Sequence, residues 1–149
     1  MLVRDERGAT IVTYALLLPI FILLILGTFE VWKIISIKQS LNAGTYKAAR
    51  YLSANNDRWQ ADRERAREII WRELENNGLL GDDVRELVEI YIPAHRPACG
   101  ALFTVRAELE LPWATVIPYL PSRNMLLVEQ HTSYIECTGY WVPPEKRGY

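Results

Sequence analysis

The residues with chemical potential are few and sit in the C-terminal half. His95 with Cys99 and His131 with Cys137 form H-x3-C and H-x5-C, a donor set of the kind that binds zinc. Zinc motifs ordinarily use tighter and more regular spacings, so the same cysteines also read as a disulfide pair or as unpaired thiols. Glu129-x-His131 places an acid and an imidazole on one face of a strand, with Ser133 the nearest candidate nucleophile. Such pairs are common on sheet surfaces, and no G-x-S-x-G, H-E-x-x-H, Walker loop or G-x-G-x-x-G accompanies them. The expectation is a protein with no catalytic residues, no cofactor and no resident metal.

Which cysteine reading holds depends on the strands that position the sulfurs. Ala101 to Leu111 alternates apolar and polar residues, with Phe103, Val105, Ala107 and Leu109 opposed to Thr104, Arg106, Glu108 and Glu110. A looser alternation over Val84 to Ile92 predicts a strand before it, and Met125 to Glu136 predicts one after it. A Pro-rich bend from Pro112 to Pro121 separates the last two. A hairpin centred near Pro118 sets Cys99 opposite Cys137 at its open end. In an oxidising compartment that bridge would close a loop of roughly 40 residues, worth about 2–4 kcal/mol.

Ahead of the strands, Ser53 to Asp57 predicts a helix stop and a fresh N-cap. A second helix follows from Arg58 to Asn76, its apolar stripe formed by Trp59, Ala66, Ile70 and Leu74. The opposite face pairs Asp62 with Arg65, Glu64 with Arg67 and Glu68 with Arg72, each pair worth about 0.2–0.5 kcal/mol.

The dominant feature lies upstream. Ala9 to Phe29 contains no charged residue. As a helix it is about 30 Å long, the thickness of a bilayer's hydrocarbon core. No small-x-small cleavage site follows it, and the helical pattern continues through Ile37, Leu41, Ala48 and Leu52, so one helix from Arg4 to Leu52 is expected to remain with the mature protein. Tyr14 and Trp32 stand about 27 Å apart on the helical rise, suited to two membrane interfaces. Pro19 predicts a kink or local melt near Tyr14 and Ala15. Ala9, Ala15 and Gly27 are small enough to permit close helix approach.

The resulting fold class is α+β. A polar head (1–8) precedes an assembly or transmembrane helix (9–52). An extracytoplasmic domain (53–142) follows, with one helix on a three-stranded antiparallel sheet, and then an irregular tail (143–149). The net charge of -1 gives no electrostatic case for nucleic acid.

Arg7-Gly8-Ala9-Thr10, the apolar helix with Leu18-Pro19, Gly27 and Glu30, and the small-residue stretch from Ala43 to Arg50-Tyr51 resemble a TadE-like protein, a pilin-like or pseudopilin component of the tight-adherence (Tad/Flp) branch of type IV pilus systems. The alternating strand, the Leu111-Pro112, Ile117-Pro118 and Leu120-Pro121 bend and the strand ending at Glu136 agree with it. The resemblance implies a cytoplasmic N-terminus and an outer C-terminal domain. It also implies prepilin-type processing between Gly8 and Ala9, and partners among pilin-like subunits and the pilus assembly machinery at the inner membrane. Related pilins commonly place Glu and then an aromatic at the fifth and sixth positions after the cut; here Thr13 and Tyr14 stand there. A pilin-like filament subunit, major or minor, is the expected function, with cell adhesion as its setting. A bitopic envelope protein whose outer domain binds a partner is the alternative.

Overall fold

The computed structural model describes residues 6–78, 84–113 and 123–137. The elements are, in order, α1 (Glu6–Ala54), α2 (Trp59–Glu75), α3 (Val84–Leu87), β1 (Val88–Tyr91), β2 (Leu102–Trp113) and β3 (Arg123–Tyr134). The three strands form one antiparallel sheet in the order β1-β2-β3. The architecture is the expected α+β one, a long apolar helix followed by a helix and a three-stranded antiparallel sheet. The bend after Trp113 and the tail from Gly139 lie outside the described residues.

Two compact units divide the chain, one ending at Ile35 and the other beginning at Ser36. The second unit therefore includes the last turns of α1. Ile37, Leu41, Thr45, Ala48 and Leu52 recur at steps of four or three residues and are buried. That period keeps one helix face turned inward. Thr45 stays satisfied by donating its hydroxyl to the Leu41 and Asn42 carbonyls. From α2, Trp59, Ala66, Ile70 and Leu74 enter the same core, as their spacing predicts. Phe103, Val105, Ala107 and Leu109 of β2 complete it. Each fully buried large side chain contributes about 1.5–3 kcal/mol.

Trp59 joins α2 to β2 and to the segment that follows β1. Its indole N–H donates to the Pro93 carbonyl at 3.1 Å, and its ring meets Phe103 edge to face at 6.0 Å. At the other end of α2, the Asn77 amide donates to the Ser36 carbonyl at 3.0 Å and to the Ser40 hydroxyl, tying the two helices together.

Four local expectations are corrected. The strand expected to begin at Val84 begins at Val88, because residues 84–87 make a helical turn. That turn carries Arg85 to Glu68 and Glu75 and sets its guanidinium 5.0 Å from the Trp71 ring centroid, contacts an extended backbone would forgo. The cap expected within Ser53 to Asp57 is replaced by Arg58, which has no side-chain capping bond; its N–H donates to the Asp62 carboxylate instead. With Asp62 so used and Glu68 held by Arg85, only the Glu64–Arg67 pair forms among the three expected on α2. Finally, α1 stays helical through Pro19, so the local melt expected near Tyr14 and Ala15 does not form.

Ser53 and Asn56 serve the sheet rather than a helix cap. The Ser53 hydroxyl donates to the Tyr134 carbonyl at 2.6 Å, and the Asn56 amide donates to the carbonyls of Ser53 and Glu136. The Glu136 N–H returns a bond to the Ser53 carbonyl at 2.9 Å. Both polar side chains are buried, and these bonds offset their desolvation.

The register of β2 with β3 runs from Leu102↔Tyr134 to Trp113↔Arg123, centred on residue 118 as the hairpin argument requires. Beyond its open end Cys99 and Cys137 form a disulfide, with Cα atoms 5.7 Å apart. Gly100 N–H to the Ile135 carbonyl and Ile135 N–H to the Ala101 carbonyl hold the backbone beside it. Gly100 takes φ of +75°, a conformation that excludes most side chains.

Candidate assembly surface

The residues with apparent chemistry are occupied structurally. Glu129 and His131 both point to the inner face of the sheet, toward α1. There the Asn42 amide donates to Glu129 at 3.1 Å and the Lys38 ammonium lies 3.6 Å from its other oxygen. The His131 ring packs edge to face on Tyr46 with centroids 4.8 Å apart. Lys38, Asn42 and Tyr46 are one helical turn apart in succession, so a single stripe of α1 meets alternate residues of β3. His95 is exposed, and both cysteine sulfurs are in the bridge. Among the described residues no group of three or more His, Cys, Asp or Glu side chains is placed to hold a metal ion.

The feature that demands a functional account is the first unit. From Val12 to Trp32 every large apolar side chain is exposed, from 38% at Leu26 to 69% at Tyr14, whereas Ile37 and Leu41 are almost wholly covered. The exposure runs around the whole helix, so no polar side faces water. Soluble monomers rarely leave a contiguous apolar patch above a few hundred Å² uncovered. This helix is long and apolar enough to cross a membrane by length and composition.

Its polar features suit an apolar environment. The Thr28 hydroxyl donates to the Leu24 carbonyl at 2.8 Å, so it adds no unpaired donor. Phe29 and Trp32 make a tilted ring pair at 5.6 Å and, with Phe21, Leu24 and Ile25, border a shallow apolar recess. Gly27 has open space around it and Ala15 and Pro19 are exposed, so these positions meet nothing within the chain. Glu30 lies half-exposed where the apolar run gives way to Lys33 and Lys38. Thr13 and Tyr14 are exposed one turn after Ala9, and Gly8 and Ala9 fall in the first turns of α1.

What periodicity left unread is that α1 has two environments. The signal was present in the buried stripe from Ile37 to Leu52, but the same residues also continue an apolar helix. The close approach of Gly44 to α2 and the Asn77 link to Ser36 and Ser40 have no one-dimensional signature.

Comparison with curated proteins and with solved structures found no match. The family model described as TadE-like protein matches residues 8–50, which is the greater part of α1 and includes both its exposed and its buried stretches. Residues 8–50 are thus similar to the TadE-like family, and the α+β domain that follows lies outside the match.

Proposed function

We propose that this protein is a pilin-like structural subunit of a Tad or type IV-like extracellular filament, inserted first in the inner membrane and then packed with other pilin-like subunits through α1. The observation that carries the reading is the all-round apolar exposure of Val12 to Trp32 beside a buried Ile37 to Leu52. Lipid covers such a helix before assembly, and neighbouring helices cover it afterwards. The N-terminus is cytoplasmic and the α+β domain lies outside, where an oxidising compartment maintains the Cys99–Cys137 bridge. The role is structural rather than catalytic.

The alternative, a bitopic envelope protein whose outer domain binds a partner, draws on Thr13, which lacks the carboxylate that related pilins commonly use in docking. Intact-mass spectrometry of sheared cell-surface material separates the two. A mass beginning at Ala9 supports prepilin-type processing and assembly by pilus machinery. A full-length mass in filaments retains the structural role without cleavage. Retention exclusively in membranes overturns the filament reading in favour of the anchor.

A further inference from the structure

The outer face of the sheet holds a like-charge conflict. Glu89 of β1 lies directly opposite Glu108 of β2 in the register, on the face turned away from the core. Directly opposed like charges destabilise a sheet. Glu86 and Glu110 line the same recess, with Leu87 and Leu126 as its apolar surface. Arg106, paired with Glu108, supplies one guanidinium against these four carboxylates. Among the described residues no three of the carboxylates are gathered closely enough to hold a metal ion. Spread over a face in this way, they suit guanidinium groups carried at intervals on a helix.

The chain itself presents such a helix. Arg58, at the cap of α2, and Arg65 and Arg72 within it recur every seven residues and are exposed. Among the described residues their guanidiniums have neither an ion pair nor a hydrogen bond, because Asp62 and Glu68 are engaged elsewhere. Arg65 and Arg72 border a groove together with Glu68, whose carboxylate Arg85 already neutralises, and the apolar part of the groove is Tyr51, Ala61 and Ile69. With Glu68 paired to Arg85 and Arg106 paired to Glu108, the charge left unpaired is positive on the α2 face and negative on the sheet face, each beside a few apolar side chains.

We infer that the arginine face of α2 docks on the acidic outer face of the sheet of a second copy of this chain. The inference rests on the proposal that copies assemble. The two patches are different surfaces of one molecule, so the contact is heterologous and each copy retains one free patch of each kind. It propagates a chain rather than closing a dimer, and an incoming guanidinium relieves the Glu89–Glu108 repulsion at every step. Complementary charge of this type chiefly sets register, association rate and salt dependence.

The test is charge reversal in the full-length protein in detergent micelles, followed by sedimentation velocity at about 0.05 M and about 0.5 M NaCl, which brackets strong and weak screening. One variant carries R65E with R72E; the other carries E89K with E110K. The expected result is wild-type association that weakens with salt, and association at least about tenfold weaker in each variant alone. An equimolar mixture of the two variants then reassociates, because the reversed α2 of one matches the reversed sheet of the other. That recovery also excludes misfolding as the cause of the single-variant loss. If both variants associate as wild type does, this contact is wrong while assembly through α1 stands. If the wild type itself stays monomeric and is missing from sheared filaments, the assembly reading fails and takes this contact with it.

Discussion

Gly44 of α1 lies against the backbone of Ile70 on α2: a Cβ built at residue 44 would come within 3.2 Å of the Ile70 Cα, and within 3.5 Å of the Glu73 Cβ. Glycine inside a helix costs about 1 kcal/mol relative to alanine, yet here it lets two buried stripes meet. The obstacle at Ile70 is backbone, which cannot swing aside as a side chain can. Gly44→Ala should therefore destabilise slightly despite its better helix propensity, and Gly44→Val should cost about 1–3 kcal/mol from overpacking. Urea unfolding of the full chain measures both; a valine variant as stable as wild type would show that the helices are not in close contact here.

Asn77 is the second tether between these helices. Its amide donates to the Ser36 carbonyl and to the Ser40 hydroxyl, and a carboxylate, having no donor, cannot replace the bond to the carbonyl. Asn77→Asp is expected to destabilise by about 1–3 kcal/mol, and Asn77→Ala by somewhat less. Amide hydrogen exchange should speed up locally at the end of α2 before any global change appears. Unaltered exchange in both variants would rule the tether out.

Replacing Cys99 and Cys137 together with serine should lower stability by about 2–4 kcal/mol, since the bridge spans a sequence separation of 38 residues. Non-reduced protein should gain the mass of two hydrogens on reduction. The bonds from Gly100 to Ile135 and from Glu136 to Ser53 keep the strand ends together, so the serine variant is expected to fold. A double variant as stable as wild type would refute the predicted contribution.

Tyr91 provides a pH test of the outer sheet face. Its hydroxyl donates to the Glu89 carboxylate, and that bond, followed by the repulsion between the carboxylate and a phenolate, raises the phenol above its ordinary value of 10.0. A group whose folded pKa is raised contributes stability that is present below its unfolded pKa and is lost as pH rises through the folded one. The contribution should therefore fade in alkali, above pH 10.0. The ultraviolet titration difference between wild type and Tyr91→Phe isolates this phenol, and Glu89→Gln should bring its midpoint down. An unmoved midpoint would dispose of the assignment.

The amino-acid sequence by itself determined the apolar span, the α2 stripe from Trp59 to Leu74 and the alternation of β2, because each is a local period of one element. It also determined the hairpin centre that aligns Cys99 with Cys137, since an antiparallel register is simple geometry once both strands are known. Tertiary structure alone decided the rest. The turn at residues 84–87 gives Arg85 partners on α2 that outweigh a strand's local alternation. Asp62 and Glu68 abandon their nearest arginines for Tyr51, the Arg58 N–H and Arg85. Above all, one stripe from Ile37 to Leu52 is core while Val12 to Trp32 has none, although one uninterrupted helix contains both. Periodicity identifies an apolar face, but only the surfaces brought against it by the folded chain determine whether that face is buried or left for a partner.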